Sequence, residues 1–368
     1  MERYEAHMRR ALALAERGWG RVSPNPLVGA IVLGRDGDVV GEGWHEGPGT
    51  PHAEVMSLRA AGDRSRGGTL VVTLEPCNHT GRTAPCTAAV LEAGISRVIV
   101  ATPDVNPDVA GGGADALRAR ALDVEIGCLA DDARRLNAAF ERHVTTGRPF
   151  AVLKAASTVD GKTAAPDGTS RWITSEESRA DAHRLRAWAD AIVVGSGTVL
   201  QDDPALTVRG AGLTDARPPV RVVVDGRGRV PADRAIFHAA APTLVATTHA
   251  APAERVASWR ATGADVLVVD AEAGGSVGLP GLFEALGKRD VQGIVVEGGP
   301  TLAWSVVRDG LVDRIVLYLA PKVLGGSGHG VVDGDGFAPI TEALPMRFTA
   351  VTPMGPDLKV EADVQRDR

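Results

Sequence analysis

TLVVTLEPCNHTGRTAPC (69–86) is the stretch on which the fold of the first part of the chain turns. TLVVTL reads as a strand, Pro76 and Cys77 follow its end, and a helix starts near Cys86 and runs to about Ala93. Upstream, an amphipathic helix over about 3–17 precedes VGAIVL (28–33). The turn GRDGD leads from there into VVGEGW (39–44), so the pair reads as a hairpin. A helix begins near His52. Downstream come the strand RVIVAT (97–102), a helix, LDVEIG, and a last helix over about 130–142. A hairpin first and β–α alternation afterwards predict a three-layer α/β/α domain on a mixed sheet.

VTTGRP (144–149) reads as a linker, because Gly and Pro break both periodicities. It divides the chain into domains over 1–146 and 147–368. The second domain opens with FAVLKAAS (150–157) and continues through AIVVG, VRVVVDG, TLVATT, DVLVVD, GIVVEGG and DRIVLYLAPKVLGG. These are β-branched runs bounded by turn signals, with helices near 175–188, 279–288 and 300–309, so a second α/β domain is expected. Segments 203–218 and 235–262 carry the weakest patterns.

The chain has 368 residues, which suits two domains better than one core. With 44% hydrophobic and 23% charged residues it reads as a folded, soluble protein. A net charge of −6 argues against a broad nucleic-acid footprint. The first residues lack the continuous apolar core of a signal peptide, and no apolar run is long enough to span a membrane. Three cysteines leave one unpaired in any disulfide scheme, which favours a reducing cytoplasm and metal or free-thiol roles. The sequence does not fix the oligomeric state, but the apolar strand DRIVLYLAP and its Gly-rich neighbours suit a subunit contact, and a homo-oligomer is the expectation.

PHAEVMSLRAAG (51–62) carries His52 and Glu54, and the opening stretch carries Cys77 and Cys86. One His and two Cys are the count for catalytic zinc, which keeps three protein ligands and leaves a fourth position for water. Zinc lowers the pKa of that water. A carboxylate two residues from the ligand His can take its proton without ligating the metal. The pattern resembles the H-x-E…P-C-x-x-C signature of zinc nucleobase deaminases. It departs from it in one respect: eight residues, not two, separate the cysteines. Alone, HAE could be a helix start with a surface Glu, and the cysteines could be core thiols. Their conjunction is far more specific. Cys128 lies too far along the pattern to be a fourth ligand and is expected to be a buried small hydrophobe.

SPNPLVGA (23–30), GEGWHEGPGTPHAE (41–54) and TLEPCNHTGRTAPC (73–86) resemble the deaminase half of the bifunctional riboflavin-biosynthesis deaminase/reductase family. Ala84 departs from the Pro usual there. The resemblance implies a cytidine-deaminase-like fold and a small-molecule pyrimidine substrate with a ribosylamino 5′-phosphate. It places Asn25, His45, His79 and Arg82 at that substrate. Each alone reads more simply as a turn or solvated residue.

GxGxxG and GxxxxGK[ST] are absent, so neither a Rossmann nor a P-loop site is expected. Glu297-Gly298-Gly299-Pro300 instead runs from a strand into a helix, where glycines let a ligand approach and free N–H groups suit a phosphate. Gly195-Ser196-Gly197 repeats the logic, with Thr198 able to cap the segment after it. Either could equally be a tight turn. LKAASTVDGKTA, SRWITS, VGSGTVLQDDPALTVR, VVEGGPTLA and APKVLGG resemble the reductase half of the same family, in patches over about 150–330. That implies a dihydrofolate-reductase-like α/β domain using NADPH. On matching positions, Ala156, Trp172, Thr198, Asp202 and Gly299, Pro300, Thr301, Leu302, Ala303, Trp304 and Ser305 would contact NADPH. Ser170, Arg186, Leu206, Arg209 and Glu297 would contact substrate. Lys154 and Asp202 are candidates for polarising the reacting sugar carbon, though Lys154 also suits a salt bridge and Asp202 a turn. Where the family has a Ser, this chain has Gly226, so that hydroxyl contact would be lost. The alternative to a second enzyme is a non-catalytic ligand-binding module.

Overall fold

The computed structural model describes residues 1–79, 85–106, 112–210, 217–238 and 240–366. The chain forms two compact units, Met1–Arg148 and Pro149–Arg368.

In the first unit the strands Val39–Trp44, Gly29–Leu33, Thr69–Leu74, Arg97–Thr102 and Asp123–Ile126 lie side by side in that order. Gly29–Leu33 is antiparallel to both neighbours, and the last three strands run parallel. Side chains alternate across a strand, so each strand feeds two cores. Ala30, Val32, Leu70, Val72, Val98 and Val100 meet the helices Ala53–Ala61, Cys86–Glu92 and Gly113–Arg118. Ile31, Leu33, Val71, Ile99 and Ala101 pack against Glu5–Ala15 and Ala133 on the other face, and Cys128 joins them as a buried small residue. The mixed sheet and its two helical layers match the expectation. At roughly 1.5–3 kcal/mol for each fully buried aliphatic side chain, these layers supply most of the driving force.

Two boundaries need correction. The helix expected over 130–142 is two helices, Ala130–Leu136 and Ala138–Thr146, separated at Asn137. The first half of the linker expected over 144–149 is helical, as far as Thr146, and the chain turns at Gly147, whose φ is +69°. Thr145 and Thr146 have the look of breakers, yet their hydroxyls bond back to the carbonyls of Glu141 and Arg142, four residues earlier.

In the second unit nine strands lie in the order Asp265–Val268, Thr243–Thr247, Val220–Val224, Ala191–Gly195, Gly293–Val296, Phe150–Thr158, Arg314–Ala320, Asp357–Val364 and Met346–Met354. The first seven are parallel and the last two antiparallel. Helices Leu279–Gly287 and Pro300–Arg308 cover one face through Leu282, Phe283, Leu286 and Val306. Val199 and Trp259 cover the other. Trp259 belongs to Ala253–Ala261, a helix inside the weakly patterned region. Arg314–Ala320 is not a free edge for a subunit contact, since both of its sides are paired. The exposed apolar side chains Phe348 and Val351 stand on the outermost strand instead. Among the described residues no helix is long and apolar enough to cross a membrane.

Candidate functional site

In the first unit three donors converge where a helix start meets a strand end. His52 is the N-cap of Ala53–Ala61. Cys77 lies three residues beyond the end of Thr69–Leu74, and Cys86 opens Cys86–Glu92. His52 Nδ1 is 3.1 Å from Cys86 Sγ and 3.6 Å from Cys77 Sγ. The three ligand atoms all lie within 4.8 Å of one another. A tetrahedral zinc with ordinary bond lengths sets nitrogen and sulfur ligands about 3.6 Å apart, so the donor set fits the ion in number, chemistry and spacing.

The Cys77 loop is held from below. Glu75 accepts hydrogen bonds from the amides of Ala114 and Asp104, at 2.8 and 3.2 Å. Gly113 lies so close to the Pro76 carbonyl that a Cβ there would stand 1.9 Å from its oxygen. The Cys86 amide donates to Cys77 Sγ at 3.3 Å. A hydrogen bond from the Cys86 thiol, together with His52, outweighs burial and holds the Cys77 thiol at about 4. Burial pushes the pKa of Glu54 up. That carboxyl sits in the first turn of the helix His52 caps, shut off from solvent.

His45 and Asn25 form a second pair beside this cluster. Asn25 Nδ2 is 2.9 Å from His45 Nε2, and His45 Nδ1 faces the Pro51 carbonyl at 3.4 Å. Burial lowers the His45 pKa, which favours the neutral ring. Its ring meets that of His52 edge-on, with centroids 5.6 Å apart. His79 is exposed in the loop after Cys77, and Arg82 lies outside the described residues. Sequence patterns miss Asn137. Its side chain pairs with both the N–H and the C=O of Leu27, two residues from Asn25.

In the second unit a cleft of about 890 Å³ opens along the carboxyl ends of the parallel strands, where such sheets bind their ligands. Lys154, Ala156, Ser170, Thr198, Asp202, Glu297, Gly299–Ala303 and Ser305 line it. Thr198 is not the helix cap expected of it. It sits within Ser196–Asp202, capped by Gly195, and its hydroxyl accepts from the Gly299 amide at 3.1 Å, joining the two Gly-rich turns. Trp172, Arg186, Leu206, Arg209 and Trp304 are not in the lining. Trp172 is largely exposed, Leu206 is a core residue, and Trp304 meets Phe337 edge-on.

Arg186 and Glu297 are brought together by a two-pronged ion pair, Nε to Oε1 at 2.6 Å and Nη2 to Oε2 at 2.8 Å. Burial pushes the Glu297 pKa up, but the charges of Arg186 and Lys154 and the hydrogen bonds of Arg186 prevail and hold it at about 2. Lys154 Nζ stands 3.8 Å from Glu297 Oε2, so Lys154 is both a salt-bridge partner and a wall of the cleft.

The far end of the cleft holds two cations that sequence patterns do not single out. Arg229 Nη2 donates to Ser196 Oγ at 2.6 Å, and Arg227 bonds the Gly274 carbonyl. Neither pairs with a carboxylate among the described residues. Gly226 between them and the strand has its own reason: a Cβ there would stand 2.4 Å from the Gly275 carbonyl oxygen.

Residues 1–102 match the cytidine and deoxycytidylate deaminase zinc-binding region, and residues 149–360 match the RibD C-terminal domain. The chain is 40% identical over 364 residues to the riboflavin biosynthesis protein RibD of Escherichia coli, covering 96% of this chain and 97% of that one. It is 42% identical over 356 residues to RibD of Aquifex aeolicus, covering 96% of each. Among solved structures, Acinetobacter baumannii RibD superposes with a TM-score of 0.87 at 35% identity over 99% of each chain. A Thermotoga maritima diaminohydroxyphosphoribosylaminopyrimidine deaminase/5-amino-6-(5-phosphoribosylamino)uracil reductase superposes at 0.86 with 35% identity, over 98% of this chain and 99% of that one.

Proposed function

The chain belongs to the RibD family of riboflavin-biosynthesis enzymes and is a bifunctional deaminase and reductase; on that basis we propose how its residues divide the work. The family sets aside the alternative of a second domain that binds without turnover.

The substrate of the first unit is 2,5-diamino-6-(5-phosphoribosylamino)pyrimidin-4(3H)-one. His52, Cys77 and Cys86 hold zinc, which when bound supplies an acidified water. With zinc bound, Glu54 would take the two protons of the attacking water in turn, giving the first to the ring nitrogen as the oxygen bonds the ring carbon and the second to the amine, which leaves as ammonia. Its burial beside the ligands keeps bulk water from competing for the proton. Asn25 and His45 hold the pyrimidine edge as a hydrogen-bonded unit, and the family resemblance assigns His79 and Arg82 to the substrate's phosphate.

In the second unit the ribosyl group of the deaminated uracil product is reduced to ribityl. NADPH supplies the hydride. Lys154 and Asp202, both on the cleft wall, steer charge and proton to the sugar oxygen or nitrogen. Ser170 and Glu297 line the substrate end, Arg186 stiffens it from behind through its pair with Glu297, and Leu206 and Arg209 stand outside the lining. Ala156, Thr198, Gly299–Ala303 and Ser305 hold the cofactor, while Trp172 and Trp304 stand outside the lining. Arg227 and Arg229 face its 2′-phosphate and so favour NADPH over NADH.

The convergence of His52, Cys77 and Cys86 beside a buried Glu54 carries this reading. Purified protein should release ammonia from the diaminopyrimidinone without NADPH and then oxidise NADPH. Glu54→Gln should cut ammonia release by about a hundredfold or more while zinc stays bound. Ammonia release at the wild-type rate in that variant would remove Glu54 from its role. A homo-oligomer, for which the exposed Phe348 and Val351 offer a face, is tested by sedimentation.

A further inference from the structure

The Lys154 ammonium has no hydrogen-bond partner among the described residues. Its contact with Glu297, at 3.8 Å, is an attraction without direction. Glu297 commits both oxygens to Arg186. A four-carbon stem held so loosely would sample many rotamers. Something else must aim it.

Sheet register supplies that constraint. Lys154 stands opposite Val316, and Ala156 opposite Tyr318, where Phe150–Thr158 pairs with Arg314–Ala320. Tyr318 stands opposite Lys359, and Val316 opposite Glu361, on the next strand. Because side chains repeat every second residue, Lys154, Tyr318, Lys359 and Glu361 share one face. The Tyr318 ring centroid lies 5.9 Å from Lys154 Nζ. Its hydroxyl donates to Asp181 Oδ2 at 2.8 Å, and Lys359 Nζ lies 2.9 Å from the same oxygen. Lys359 also faces Glu361 Oε1 at 3.8 Å. With 1% exposure the ring has no room to swing away.

We propose that Tyr318, locked by Asp181 and Lys359, is a positioning residue that aims the Lys154 ammonium into the reductase cleft; this rests on the role given to Lys154 above. A π-face attracts an ammonium without consuming a particular N–H. Glu297 on one side and the ring on the other therefore confine the nitrogen while its three donors stay available to a ligand.

The test uses the full-length enzyme. Reductase kcat and NADPH Kd are measured on the deaminated substrate, and ammonia release from the same preparation is the internal control. Tyr318→Leu should lower reductase kcat by about tenfold, with NADPH Kd and ammonia release unchanged. Tyr318→Phe keeps the ring and should recover most of that loss. In a Lys154→Met background Tyr318→Leu should cost nothing further, because both changes remove one interaction. Should Tyr318→Leu fail to fold, Asp181→Asn is put through the same cycle, with the same non-additivity expected. The proposal is overturned if kcat is unaffected, if the two losses multiply, or if kcat and NADPH affinity fall together. Wild-type kcat in Lys154→Met alone would overturn it by a different route, by removing Lys154 from the reaction.

Discussion

Asn137 hands both halves of its amide to the backbone of Leu27, Oδ1 to the N–H at 2.8 Å and Nδ2 to the C=O at 2.9 Å. One side chain at a break between two helices thereby fixes a loop 110 residues earlier. Asn137→Leu leaves two buried backbone groups unpaired. It should destabilise the first unit by about 2–4 kcal/mol and raise the deaminase KM through Asn25. Denaturant melts and steady-state kinetics measure the two effects, and a neutral melt would show that the loop is held elsewhere.

The Arg186–Glu297 pair predicts a pH dependence with a definite sign. Glu297 titrates near 2 in the fold, below its ordinary 4.5. The unfolded state therefore binds the proton first as pH falls. The stabilisation is complete above pH 4.5 and is lost as pH drops toward 2, amounting to about 3 kcal/mol. Comparing wild type with Glu297→Gln across that window isolates the slope. Parallel curves would show that Glu297 titrates normally.

Arg227 and Arg229 should act on one phosphate group. The double variant Arg227→Ala/Arg229→Ala should raise the KM for NADPH by about tenfold to a hundredfold. Activity with NADH should not change. Equal losses with both cofactors would mean that the arginines hold the loop rather than the phosphate.

Metal content separates the three cysteines. Cys77→Ala and Cys86→Ala should lose zinc and ammonia release together. Cys128→Ser should keep both, at a cost of about 1–3 kcal/mol for a hydroxyl buried among apolar neighbours. Chelation should stop deamination while reduction of supplied deaminated substrate continues. Zinc retained in Cys77→Ala would refute the ligand set.

Patterning reveals most of the first unit, because long β-branched strands and the HAE and PC motifs carry strong local signals. Glu54 and its three neighbours need only spacing. Asn137 is invisible to it, since its importance lies in a contact far away in sequence. Strand Met346–Met354 escapes it as an outer strand with no buried residue and with Pro353 within it. Thr198 reads wrongly as a cap because its hydroxyl serves a different turn, which no local pattern records. The helix around Trp259 is hidden by alanines that suit helix and loop alike.

Gly226 is a departure whose reason lies across the cleft. A Cβ there would meet the Gly275 carbonyl oxygen, so placing a serine at 226 is not a one-step change. The loop 273–277 would have to retreat, because the obstacle is a backbone oxygen that any residue at 275 would carry. Position 226 is therefore coupled to the path of the 273–277 backbone. Single-site libraries at 226 should return almost only glycine, whereas libraries that also rebuild the backbone of 273–277 should admit side chains there.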